Sequence, residues 1–462
     1  MAAHLTANPE RALIDSDTQI TITGLDPRAL VLIEARVDAV DGSRWESGAY
    51  FLADDTGKID LAQAVPIEGS YLVADPNGLV WSLALAPGSP SRQRSARFIE
   101  NDLRAYEIHF RALVDGQEVA AAAVTREPVA AGVIREEVRD DGLVGTLFLP
   151  PGVGPHHLIV VVPGSDGGVP EPQAALYASH GFAALALGYF RFGDLLPETL
   201  EEIPLEYFGK AFAWAAAHPR LDTSKLIASG PSRGGELSLL LGAWFPETVT
   251  AVVSWVPSNY VNGGFAKVGS GLEPKPAWTW RGEPLPSRAR PAAPEDAARR
   301  EGAPHRDGVP VLSLVGLAGA AKAFGNDQDA AAEIAVEKTA GPVALVSGRD
   351  DALWPSAFYA DWAVDRFRRK DFGHPVWHWS YERAGHSLGP ANGPATGVIH
   401  NDAQTSGHAV HLGGEPTAIA RARADVWPRV LAFIAGHFEG RPLTRLPALG
   451  PPAHAPALDH GV

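Results

Sequence analysis

Residues 226–241 read Leu226-Ile227-Ala228-Ser229-Gly230-Pro231-Ser232-Arg233-Gly234-Gly235-Glu236-Leu237-Ser238-Leu239-Leu240-Leu241. A short apolar run meets Gly-Pro-Ser-Arg-Gly and gives way to a Leu-rich stretch of helical character, so the order is strand, sharp turn, helix. That is the setting in which a strained turn lifts a serine hydroxyl above a helix N-terminus. Gly230 and Gly234 remove side chains where strand and helix come closest, leaving Ser232 at the apex as the candidate nucleophile. The competing reading is a serine that only caps the following helix. The same five-residue pattern recurs at Gly385-His386-Ser387-Leu388-Gly389, but Pro390-Ala391-Asn392-Gly393-Pro394 follows and does not form the supporting helix, so Ser387 is set aside.

Outward from this stretch, apolar runs alternate with helical ones. Residues 158–162, 181–187 and 250–255 are apolar on both faces, as strands of a covered parallel sheet are. An amphipathic helix is expected between the first two, another helix near 206–218, and a last one near 421–437. The run Val343-Ala344-Leu345-Val346-Ser347-Gly348-Arg349-Asp350-Asp351 is a strand delivering acids at its C-terminal end, and Val376-Trp377-His378-Trp379-Ser380-Tyr381 leads to Gly385-His386. Serine, acid, histidine, each after a strand, is the order of an α/β-hydrolase. The fold expected over 126–440 is therefore an α/β-hydrolase, a mostly parallel sheet with helices on both faces.

In that arrangement His386 takes the proton of Ser232, and the acid fixes the imidazole tautomer and stabilises the imidazolium. Asp351 is preferred, because Gly348 three residues before it and Pro355 four residues after it match the usual spacing in this fold; Asp350 is the alternative. An oxyanion hole needs two backbone N–H groups. Arg233, the residue after the nucleophile, supplies one; Ser165 or Asp166, in the loop Pro163-Gly164-Ser165-Asp166-Gly167-Gly168, supplies the other. That loop lacks the Lys-Ser/Thr ending of a phosphate cradle. His374 and His378 lie four apart on a strand pattern and no HExxH motif is present, so neither metal nor cofactor is expected.

Residues 1–125 show short alternating runs between turn signals such as Gly24-Leu25-Asp26-Pro27 and Asp115-Gly116, which points to an N-terminal antiparallel β-sandwich carrying no visible chemistry. The Asp75-Pro76-Asn77-Gly78-Leu79-Val80-Trp81-Ser82 segment reads as a turn with an anchoring tryptophan. Residues 262–308, rich in Gly, Pro, Trp and Arg, read as a surface excursion or as a lid whose cations meet an anionic ligand. Residues 441–462 read as a Pro-rich tail. A net charge of −15 argues against nucleic acid, and the absence of cysteine excludes disulfides, thiolate metal sites and a cysteine nucleophile. No apolar run reaches the roughly 18–20 residues of a membrane helix, and the first ten residues lack a basic start and an apolar core; a soluble, cytoplasmic protein with no membrane partner is expected.

Several further stretches share one resemblance. Gly69-Ser70-Tyr71 with Asp75-Pro76-Asn77-Gly78-Leu79-Val80-Trp81-Ser82-Leu83, Thr146-Leu147-Phe148-Leu149-Pro150-Pro151-Gly152, His180-Gly181-Phe182-Ala183, Pro204-Leu205-Glu206-Tyr207-Phe208, Ile334-Ala335-Val336-Glu337-Lys338, Ala384-Gly385-His386 and Gly413-Gly414-Glu415-Pro416 are similar to segments of the type I acyl-CoA thioesterase and bile acid-CoA:amino acid N-acyltransferase family. The resemblance runs from near the N-terminus to about residue 438. It implies an acyl-CoA or carrier-bound acyl thioester as substrate, cleaved through an acyl-enzyme on Ser232 with His386 and Asp351. It also implies hydrolysis, because amino acid-conjugating members characteristically carry cysteine where this chain has serine. Transfer to an amine or alcohol, and carboxylesterase or peptidase activity on the same fold, are the alternatives. Residues 262–310 and the segment after His386 depart from the family pattern.

Overall fold

The computed structural model describes residues 2–39, 42–89, 102–265, 275–288, 305–306, 309–312, 327–395, 398–400, 409–441 and 443. Its larger half is built on eight strands: β1 (Ile134–Val138), β2 (Val144–Leu149), β3 (His156–Val161), β4 (Ala183–Gly188), β5 (Leu221–Pro231), β6 (Ala251–Trp255), β7 (Val343–Gly348) and β8 (Val376–Tyr381). They lie side by side in the order β1-β2-β4-β3-β5-β6-β7-β8. The β1–β2 and β2–β4 pairs are antiparallel and the remaining pairs parallel. Every residue of β4, β6 and β7 is buried, which explains why these strands read as continuous apolar runs: helices or a second domain cover both faces. The chain winds both ways from β3, whose neighbours are β4 and β5. In an open α/β sheet the crevice outside the carboxyl ends of such strands is where ligands bind. This is an α/β-hydrolase sheet.

The helices that matter to the site are α1 (Glu171–Ser179), α2 (Glu206–Ala217), α3 (Arg233–Trp244), α4 (Ser356–Arg369) and α5 (Pro416–Phe438). The helix expected to be amphipathic, α1, is not: Ala174, Ala175, Leu176, Tyr177 and Ala178 are all buried. One face packs on the parallel sheet and Tyr177 stacks on Trp427 of α5 at 5.4 Å, within an apolar cluster that continues into the N-terminal half through Ile33 and Phe110. A covered helix has no polar face to keep.

The N-terminal half consists of two sheets. One pairs His4–Asn8, Gln19–Thr23 and Ile59–Asp60; the other orders Arg11–Leu13, Gln117–Glu127, Tyr106–Val114, Leu30–Asp38, Arg44–Leu52 and Glu68–Gly69. Pairing is antiparallel throughout these two sheets except between Gln117–Glu127 and Arg11–Leu13. In Leu30–Asp38 the alternation is strict, with Val31, Ile33, Ala35 and Val37 buried. The last of these strands runs two residues past 125. Trp81 ends a single helical turn, Gly78–Trp81, and its indole N–H donates to Asp75 Oδ2 at 3.0 Å.

Of the 262–308 stretch, residues 262–265, 275–288 and 305–306 are described, and Trp278–Trp280 pairs with Ile203–Pro204 and Glu283–Pro284 in a small sheet. Arg290, Arg299 and Arg300 lie outside the described residues, as does the tail beyond 443. Among the described residues, no helix is long and apolar enough to cross a membrane.

Candidate active site

Ser232 sits between β5 and α3 with φ 58° and ψ −119°, a left-handed conformation that costs a non-glycine residue on the order of 1–3 kcal/mol. Its backbone N–H donates to Trp255 O at 2.8 Å and its carbonyl accepts from Glu236 N at 3.0 Å, which starts the helix. Its side chain makes no capping hydrogen bond, so a purely capping role does not fit. A Cβ on Gly234 would stand 2.7 Å from Pro163 O, and one on Gly230 equally close to Val162 O; the turn closes on β3 only without them.

That close approach sets the loop after β3 against the nucleophile: a Cβ on Gly164 would lie 3.5 Å from Ser232 Cβ. Residues leaving β4 hold the loop in place. Tyr189 donates its hydroxyl to Pro163 O at 3.0 Å, Phe190 O accepts from Gly168 N at 2.9 Å, and the Arg191 guanidinium donates to Asp166 O at 3.3 Å. Ser165 and Asp166 therefore lie in a braced turn beside Ser232, and Arg233 is the first residue of α3, where helix N–H groups have no partner four residues back.

The Arg233 side chain has a separate role that sequence reading missed. It is buried and pairs with the fully buried Glu236 at 2.8 Å. Glu236 also accepts from Trp278 Nε1 at 3.0 Å, Asn262 N at 3.3 Å and Asn262 Nδ2 at 2.7 Å, while Arg233 donates to the carbonyls of Asn262 and Gly263. Burial pushes the Glu236 carboxyl above the ordinary carboxylate range, and the Arg233 guanidinium beside it pulls the other way. This knot pins the start of the 262–288 excursion to the helix behind the nucleophile.

The histidine is assembled from further away. Asp351 and His386 come together, with His386 Nδ1 donating to Asp351 Oδ2 at 2.7 Å. The same oxygen accepts from Ser356 Oγ at 2.6 Å, and Oδ1 accepts from Leu353 N at 3.0 Å and Trp354 N at 3.2 Å. Asp350 is exposed, takes Gly414 N at 3.0 Å and has no bond to His386. With Nδ1–H directed at the carboxylate, Nε2 carries the lone pair. Nε2 is buried and has no hydrogen-bond partner.

Trp354 lies edge-to-face on the imidazole, 6.0 Å between centroids, and donates its indole N–H to Val256 O at 2.9 Å. Val256, a β-branched residue, is held at φ 41°, a backbone outlier of the kind that collects at functional sites. Below the pair, Gly413 (φ 75°) packs on the acid turn so closely that a Cβ would meet Asp350 O at 1.8 Å. Ser356 and Trp354 were within reach of sequence reading, being next to Pro355 just after the acid. Nothing local marked Glu236.

His378, the second member of the spaced histidine pair, bonds Ser347 Oγ at 2.7 Å and Asp361 at 3.1 Å. Among the described residues, no group of three or more His, Asp or Glu is arranged to hold a metal.

Two family models match: the BAAT / acyl-CoA thioester hydrolase C-terminal model over residues 203–440, and the acyl-CoA thioester hydrolase/BAAT N-terminal region model over residues 15–140. The chain belongs to this family. Human acyl-coenzyme A thioesterase 1 is 31% identical over 452 residues, covering 95% of this chain and 98% of that protein. Mouse peroxisomal succinyl-coenzyme A thioesterase is 30% identical over 445 residues, covering 95% and 97%. Mouse acyl-coenzyme A amino acid N-acyltransferase 1 is 29% identical over 445 residues, covering 95% and 98%. The BAAT / acyl-CoA thioester hydrolase family is one of enzymes, and this member is an enzyme. The C-terminal match spans Ser232, Asp351 and His386; the N-terminal match begins at Asp15.

Proposed function

We propose that this enzyme hydrolyses acyl-CoA or carrier-bound acyl thioesters through an acyl-enzyme on Ser232. One observation carries the reading: an imidazole whose Nδ1 is fixed on a buried, fully bonded carboxylate while its Nε2, also buried, has no partner. Leaving a buried polar atom unpaired costs about 1–3 kcal/mol, a cost that a base awaiting its substrate accounts for.

The Ser232 hydroxyl attacks the thioester carbonyl carbon as its proton passes to His386 Nε2. Asp351 stabilises the imidazolium on the Nδ1 side. The carbonyl oxygen becomes an oxyanion facing the backbone N–H of Arg233 and of Ser165 or Asp166. Collapse breaks the C–S bond, and the imidazolium returns its proton to the departing thiolate. Water then attacks the acyl-serine ester with Nε2 as base, and acid and free serine are released. An amine taking the place of water would give amide instead, the reaction implied by the name of the N-acyltransferase relative.

Thiol release from a panel of acyl-CoA thioesters, with and without glycine or taurine, tests this. The expected result is free acid under both conditions, and a loss of about 10⁶-fold in Ser232→Ala. Release only when an acceptor is present would make the enzyme an acyltransferase. Release that survives in Ser232→Ala would reject the acyl-enzyme.

A further inference from the structure

The loop that follows His386 does not close on the sheet that carries it; it closes on the N-terminal domain. Asn392, buried and at φ 59°, donates its amide to Asp15 O at 2.9 Å and to Asp17 Oδ1 at 3.1 Å. Asp17 Oδ1 also accepts from Asn77 Nδ2 at 2.9 Å, and Asn77 Oδ1 accepts from Thr18 N at 2.8 Å. Three residues on, Ala395 N donates to Trp81 O at 2.8 Å. Leu388, Ala391 and Ala395 are buried in the apolar cluster that continues into the N-terminal sheets.

The other side of the loop is gripped from α5, where Arg423 donates to the carbonyls of Ser387, Gly393 and Pro394 at 2.7, 3.3 and 3.0 Å. Asp15 ties these supports together. Its carboxylate bonds His180 Nε2 and Trp427 Nε1, both at 2.6 Å, joining the N-terminal domain to the end of α1 and to α5. His386 itself has one side-chain hydrogen bond, to Asp351. Its backbone N–H is tied to Leu412 O at 2.7 Å on the incoming side, so the direction of Nε2 depends further on where the outgoing backbone from 387 to 395 is held.

We infer that the N-terminal domain is a positioning element of the active site, acting through the Asp17–Asn392 contact to fix the His386 loop; this rests on the reading of His386 as the base for Ser232. A misplacement of reacting groups by about 1 Å can cost on the order of 100-fold in rate. A domain that merely adheres to the hydrolase half predicts instead a loss of stability with the rate per folded molecule unchanged.

The test uses the full chain and reads serine labelling by a fluorophosphonate, which needs no thioester substrate, alongside kcat and KM for acyl-CoA hydrolysis. His386→Ala is the reference for a lost base. Asn392→Gly removes the amide while tolerating the positive φ; Asp17→Ala removes the acceptor; Asp17→Asn keeps a carbonyl oxygen there. The expected result is labelling and kcat lowered by about 10- to 100-fold in Asn392→Gly and Asp17→Ala. KM is expected to stay within about twofold, with most of the rate recovered in Asp17→Asn. The downfield proton resonance of His386 Nδ1–H is expected to broaden in the first two variants only.

Wild-type labelling rates in Asn392→Gly and Asp17→Ala, with labelling abolished in His386→Ala, would overturn the inference and leave the Ser232–His386 assignment standing. Labelling of His386→Ala at the wild-type rate would overturn both. If Asp17→Ala does not fold, Asn392→Gly decides alone.

Discussion

Ser232 is presented by one continuous stretch, β5 into α3, whereas His386 is held by segments as far apart as Asp15 and Asn392, 377 residues distant in the chain. On the serine side the turn and the Arg233–Glu236 pair lie within one strand and one helix, and only the loop after β3 comes to them from earlier in the chain. On the histidine side the acid turn, the glycine pair at 413–414, α5 and the N-terminal domain each contribute a contact. Geometry that is local in sequence forms whenever its strand and helix form. Geometry assembled from distant segments also depends on domain docking, so lesions on the two sides should have different signatures.

Beyond removal of the nucleophile itself, the largest expected effect is on the histidine side. Asp351→Asn should lower kcat by about 10⁴-fold, because the amide supports the wrong tautomer of His386. Asp350→Asn, at an exposed carboxylate that accepts one hydrogen bond from Gly414 N, should stay within about threefold of wild type. Steady-state kinetics of the two variants checks this; the reverse ranking would move the acid to Asp350 and break the comparison at its root. Next in size is a serine-side lesion. Arg233→Met leaves Glu236 buried without its cation and should destabilise the fold by about 3–5 kcal/mol in urea unfolding, with the double variant Arg233→Met/Glu236→Leu recovering much of it. If Arg233→Met unfolds like wild type, the knot behind the nucleophile does not stabilise it.

What was legible in the sequence follows the same division. The strand-turn-helix at 226–241 carries its own geometry, so the glycines, the apex serine and the apolar runs that form the parallel strands could be read from local pattern. Asp351 could be preferred over Asp350 because Gly348 and Pro355 stand at the spacing usual around the acid in this fold. The amphipathic expectation for α1 failed because period reasoning assumes one wet face, and here the residues facing away from the sheet are covered too, Tyr177 by Trp427 of α5. Glu236 looked like an ordinary helix residue, since the partners that bury it, Asn262 and Trp278, come from 26 and 42 residues away. Gly413-Gly414 carries part of the family resemblance. Its physical cause, closure over the acid turn, needed the fold.

The smallest effect concerns the far end of α5, the helix that grips the histidine loop through Arg423. At its C-terminus His437 is tucked beneath the sheet, bonding Thr250 Oγ1 at 2.8 Å, while Lys225 donates to the carbonyls of His437 and Phe438. Burial, with Lys225 and His157 nearby, lowers the imidazole from 6.5 to about 4. The folded protein thus keeps His437 neutral over a range in which the unfolded chain protonates it. Between about pH 6.5 and 4 the unfolded state binds more protons, so stability rises with pH and is lost as pH falls through that window. After discounting for solvent screening at a partly exposed site, the loss between pH 7 and pH 5 should be about 1 kcal/mol. Urea midpoints at the two pH values measure it, and His437→Gln, which does not titrate, should flatten the difference. An equal pH dependence in both proteins would place the acid-sensitive group elsewhere. If the dependence does vanish in His437→Gln, serine labelling at pH 5 sharpens the comparison further: loosening α5 should slow labelling through the histidine side while the β5–α3 turn stays intact.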